Sequence, residues 1–125
     1  MVRQWLAKAE QDLKASEALL AVDPPFPYAA CFHAQQAAEK YLKATLTWHQ
    51  IEFPKTHSIR QVLDLLSQAD AETAAGLADA SVLSPYAVDI RYPGDQPEPD
   101  LQEAHRATDL ARKVRDAVLS MLRAL

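Results

Sequence analysis

The chain has 125 residues, 49% hydrophobic and 24% charged, with 13 basic and 17 acidic side chains and a net charge of −4. That length predicts one domain over residues 1–125, with a core large enough to need no cross-links. The acidic balance excludes a generic DNA-coating protein, whose affinity comes from neutralising phosphates, but leaves room for a local basic cleft. A single cysteine, Cys31, cannot form an internal disulfide and fits a reducing cytoplasm. The opening "MVRQWLAKAEQDLK" meets charges at once, so no signal segment is expected. The longest apolar run, "ALLAV", is too short to span a membrane.

Only two glycines occur, and the eight prolines fall mainly between stretches of helical periodicity. No run alternates with period two, so the chain reads as all-α. A first helix is expected over about 2–21, with Val2, Leu6, Ala9, Leu13, Ser16 and Leu20 on one stripe and Trp5 beside it. "DPPFP" stops it, because proline removes a donor and clashes with the preceding turn. A second helix follows over about 28–50 and ends at "EFPKTH". Ser58 and Gln61 have the form of a capping box, opening a third helix with Ile59, Val62, Leu63 and Leu66. A fourth is expected over about 71–92 on Ala75, Ala78, Val82, Tyr86 and Ile90, with a break or kink at Pro85. "RYPGDQPEPD" reads as a loop. The last helix, about 100–124, carries Ala104, Ala107, Ala111, Val114, Val118 and Met121 on one stripe. Short links between amphipathic helices predict an antiparallel up-and-down bundle of four to five helices.

The second helix poses the chemical question. Ala34, Ala38, Tyr41, Leu42 and Thr45 fill the centre of its buried arc, and Gln35 and Glu39 border it. Burying either without a partner costs a few kcal/mol, so each is expected to meet another helix, a backbone group or a second subunit, or else to lie wet on the rim. His33, Gln36, Lys40, Lys43 and Thr47 fall within one quadrant. Lysine supplies a mobile charge for phosphate oxygens and histidine can donate or accept. The same spacing also describes a solvated face, with Glu39 and Lys43 as an ordinary (i, i+4) pair.

"KTHSIR" places Lys55, His57 and Arg60 around a helix start, where amides favour anions. "YAVDIRYP" places Arg91 and Tyr92 together: a cation for phosphate beside a ring for base stacking, or simply a cation at a helix C-terminus. Cys31 and His33 point about 200° apart on a helix, which excludes a local thiolate–imidazolium pair. Two isolated glycines cannot build a phosphate loop, and no HExxH motif occurs. Neither a metal site nor a cofactor is expected, and no catalytic residue stands out.

"WLAKAEQDLKAS", "CFHAQQAAEKYLKA", "KTHSI" and "IRYP" together resemble the HEPN domain family over nearly the whole chain. HEPN domains are small helical domains often found beside minimal nucleotidyltransferases in prokaryotes. The resemblance implies a homodimer and an association with nucleotides. Many members are RNases or toxin–antitoxin components. Family RNases carry an arginine followed four to six residues later by histidine. Here Arg91 is followed by "YPGDQPEPDLQEA", and neither Arg60 nor Arg106 has a histidine in range. The resemblance therefore implies a module that binds nucleotide or RNA phosphate and engages a nucleotidyltransferase. The alternative is a metal-independent RNase with a rearranged site.

Overall fold

The structure, a computed structural model, describes residues 1–87 and 98–123. Every regular element among them is helical: α1 (Val2–Ala21), α2 (Pro27–Trp48), α3 (Ile59–Leu66), α4 (Ala71–Gly76), a 3₁₀ helix (Ala78–Ala87) and α5 (Leu101–Arg123). None is long and apolar enough to cross a membrane. Pro27 opens α2, where its missing N–H costs nothing. The Phe26 amide reaches back to the Leu19 carbonyl (2.9 Å) and closes the α1–α2 link.

α2 is the central helix. Thirteen of its 22 residues are buried, against three of 20 in α1 and six of 23 in α5. Five of those thirteen are alanines, whose small side chains let neighbouring helices come close. Trp5, Asp12 and Ser16 of α1 meet Lys43, Lys40 and Ala30 of α2, so the two run antiparallel. Leu6 and Leu119 line one cleft while Ser16 meets Thr108, so α5 also runs against α1. Where the three helices meet, the buried Ser16 hydroxyl donates to the Ala30 carbonyl (2.8 Å) and lies 2.9 Å from the Thr108 hydroxyl. A polar residue in the stripe of α1 thus has its partners.

The stripes expected for α1, α3 and α5 face the core, although Met121 is only half-buried. The expected fourth helix differs. α4 starts on Asp70, whose side chain accepts from the Thr73 amide (3.1 Å), but it ends at Gly76. The chain continues as a 3₁₀ helix with Pro85 inside it. Ala75 and Ala78 are exposed, and Val82 is 61% exposed. The buried residues are instead Ala74, Leu77, Ala80 and Leu83. They recur every third residue, the repeat of a 3₁₀ helix and not the 3.6 of an α-helix. Ile90, placed in the same stripe, lies outside the described residues.

This register is testable by denaturant unfolding. Leu83→Ala is expected to cost about 2–5 kcal/mol, while Val82→Ala is expected to stay within about 0.5 kcal/mol. The reverse order restores the α-helical stripe.

Candidate functional site

The polar residues of α2 divide between two carboxylates. Asp12 of α1 takes the first pair. Its Oδ1 lies 2.9 Å from His33 Nδ1, and its Oδ2 accepts from Lys40 Nζ at 2.5 Å. Glu39 of α2 takes the second. Its Oε2 accepts from Lys43 Nζ (2.9 Å), and its Oε1 lies 2.9 Å from His57 Nδ1. Gln35 Nε2 also donates to Oε1 (3.0 Å), and Gln36 Nε2 donates to Gln35 Oε1 (2.7 Å). Each carboxylate thus holds one lysine and one histidine on separate oxygens.

Gln35, Glu39 and Lys43 are all buried, so the rim reading of the first two does not hold. Their partners lie within the chain. Spacing places Lys43 on an outward quadrant, yet its side chain is 8% exposed. Trp5 and Phe53 explain this. Both ring centroids lie 5.7 Å from its Nζ, close enough for cation–π attraction. The (i, i+4) pair with Glu39 is present, but it is a buried pair rather than a solvated one.

The same residues grip the segment before α3. Lys43 Nζ donates to the Thr56 carbonyl (2.9 Å) and Gln35 Nε2 to the His57 carbonyl (3.3 Å). His57 is thereby fixed by its backbone and its Nδ1 while its side chain stays 68% exposed. An ionised carboxylate only accepts, so Nδ1 donates and Nε2 is left on the outer side of the ring. His33 is held in the same way by Asp12, with 33% of its side chain exposed.

At α3 the capping box is half formed. Ser58 Oγ accepts from the Gln61 amide (3.2 Å), but the Ser58 amide goes to Thr56 Oγ1 (3.1 Å). The Ile59 amide donates to Ser84 Oγ (3.0 Å). Side chains therefore occupy amides that the helix start was expected to offer to an anion. Lys55 and Arg60 are exposed and make no ion pair among the described residues.

Burial raises the Glu39 carboxyl's affinity for a proton. The bonds from Lys43, Gln35 and His57, with the Lys43 charge, outweigh it and hold the group below its ordinary value of 4.5. Arg91 and Tyr92, the remaining two site candidates, lie outside the described residues. Among those described, no three metal-ligating side chains cluster. Asp12 is a site residue that sequence reasoning missed. Its signal is register: it stands three residues after Ala9 and four before Ser16, both buried.

A bundle of helices packed around an alanine-rich central helix makes this an all-helical domain among the described residues. The chain belongs to the HEPN domain family, whose match spans residues 2–121. Its structure is similar to that of TT1696 from Thermus thermophilus, at 34% identity and a TM-score of 0.73, over 95% of this chain and 96% of that one. It is also similar to ST0689, described as an archaeal HEPN homologue, at 25% identity and a TM-score of 0.73, over 97% of both chains. Comparison with curated proteins gave no match.

The lowered Glu39 value carries a sign. A depressed folded-state pKa adds stability that is present above 4.5 and is lost as pH falls through the folded value. Glu39→Gln also leaves Lys43 buried without its counter-charge, at a cost of about 3–5 kcal/mol at neutral pH. Unfolding free energies of the two proteins are expected to converge as pH falls below 4.5. A constant gap across that range rejects the assignment.

Proposed function

We propose that this HEPN protein is a binding and interaction module. It takes a phosphate of a nucleotide or RNA at residues 55–60, and it works as a homodimer beside a minimal nucleotidyltransferase in a two-component, toxin–antitoxin-like system. One observation carries the ligand reading: an exposed imidazole, His57, held on a buried carboxylate whose charge Lys43 already offsets. With Nδ1 on Glu39, the outward Nε2 offers a phosphate a donor in the imidazolium form, without a free negative charge behind it. Lys55 and Arg60 flank it, and "KTHSIR" contains no acid. Lys40 and Lys43 are committed to Asp12 and Glu39 and serve this reading as struts. His33 and Gln36 supply further polar groups on the same helix. Arg91 and Tyr92 are assigned to the ligand on their chemistry alone. The partner and dimer readings rest on family membership and on the missing Arg-to-His motif.

A second reading is RNA cleavage. Two carboxylate-held imidazoles with Nε2 outward are the form a general acid and base take. Incubation with tRNA and mRNA, beside an Arg91→Ala control, separates the two. The binding reading expects equal, negligible cleavage by both proteins.

Titration calorimetry with ATP, GTP and a short RNA tests the site. His57→Ala is expected to weaken binding roughly ten- to a hundredfold, the worth of a hydrogen bond to a charged group. The double variant Lys55→Ala/Arg60→Ala is expected to flatten the dependence of RNA affinity on salt. Co-expression with a nucleotidyltransferase encoded nearby tests the partner by co-purification. No binding in any of these experiments sinks the proposal.

A further inference from the structure

A cleft of about 620 Å³ opens where the end of α2 meets α4 and α5. His49 stands on its wall as the C-terminal cap of α2, placed there by the bond from its amide to the Thr45 carbonyl (3.0 Å). Its Nε2 is shut off from bulk water and has no hydrogen-bond partner among the described residues. Buried polar side-chain atoms are normally satisfied, and among those described this is the one that is not. The open space beside the ring is the cleft.

The rest of the lining narrows what can satisfy that nitrogen. Two carboxylates line the cleft, Asp70 and Glu72, and no lysine or arginine does. Asp70 accepts from the amide of Thr73 on Oδ1 (3.1 Å) and from its hydroxyl on Oδ2 (2.6 Å). Both donors are neutral, so they leave its charge in place. Glu72 is exposed and makes no ion pair among the described residues. Asp12, Glu17 and Glu39, in contrast, each hold a base. Leu77 and Met121 supply an apolar wall. A cleft lined by one sign of charge raises the local concentration of the opposite sign, so the lining itself selects a cation.

We propose that this cleft binds a guanidinium group. Its N–H donors go to His49 Nε2 and to the Asp70 and Glu72 carboxylates, and Leu77 and Met121 cover its methylene stem. A guanidinium carries five donors in a planar fork and no acceptor, so one group serves several acceptors at once. It is also more weakly hydrated than an ammonium, and it gives up less on approaching an atom that water does not reach. Nε2 then accepts, which places the imidazole proton on Nδ1. At the roughly 30 Å³ a water molecule occupies in the liquid, the cleft takes about twenty heavy atoms, enough for an arginine residue. The group has two sources, a free guanidino compound or the arginine side chain of a protein. This site shares no residue with the phosphate reading and is independent of it.

NMR titration at low salt tests it, with butylguanidine and N-acetyl-arginine methylamide as the cations and N-acetyl-citrulline methylamide as the uncharged isostere. Both cations are expected to shift resonances of His49, Leu77 and Met121, and the citrulline amide is not. The ring-nitrogen shifts of His49 are expected to show Nδ1 protonated and Nε2 accepting in the complex. Glu72→Gln and His49→Phe are each expected to weaken binding about tenfold. Glu72 is exposed, so its variant keeps the fold even where the His49 variant does not. Tighter binding of butylguanidine assigns a free guanidino compound, and equal or tighter binding of the arginine amide assigns a protein side chain. An equal response to the citrulline amide, a proton kept on Nε2 in the complex, unchanged affinity in Glu72→Gln, or no shift with either cation overturns the proposal.

Discussion

Glu39 is a carboxylate at 3% exposure in the middle of the central helix. An ionised group in that position is tolerable only if its oxygens are fully engaged, and the rest of this face follows from that requirement. Lys43 supplies the opposite charge from one turn away on α2. It must then itself be shielded, which Trp5 of α1 and Phe53 of the following segment do with their ring faces. Gln35 satisfies the second oxygen and His57 completes it. One buried charge thus draws in α1, α2 and the chain between α2 and α3.

The Asp12 group repeats this logic nearer the surface. There the carboxylate comes from α1 and both donors from α2, so the pair ties the two helices side by side. Its salt bridge is more open to water than that of Glu39, and solvent screens it more, although its imidazole is the less exposed of the two. The two groups therefore differ in function within the fold: the inner one fixes a loop, and the outer one fixes a helix crossing.

Much of this is legible in the sequence. Prolines and amphipathic stripes locate α1, α2 and α5, which are long enough for a 3.6-residue repeat to stand out, and the Ser58 cap with large apolar residues locates the short α3. The segment from Ala71 to Ala87 is not legible. It is rich in alanine, which marks a buried and an exposed face alike, so a repeat of 3.6 can be laid on it although the chain follows a repeat of three. Gln35 and Glu39 are recognisable as needing partners, but helical angles cannot name them. His57 and Thr56 arrive from beyond the end of the helix. Lys43 is misplaced for a related reason: the rings that bury it come from Trp5 and Phe53, which no property of α2 predicts. Asp12 is hidden among the charges of α1, where only its register distinguishes it.

The grip on the segment before α3 uses the carbonyls of Thr56 and His57, groups that every residue possesses. The path of that segment accordingly does not depend on the side chain of Lys55, while Thr56, His57 and Ser58 each add a side-chain bond to it. Lys55 can be exchanged without disturbing the backbone that Gln35 and Lys43 hold, and so can the outward half of position 57. In a segment held this way, the surface chemistry at position 55 can vary without a change in the backbone course.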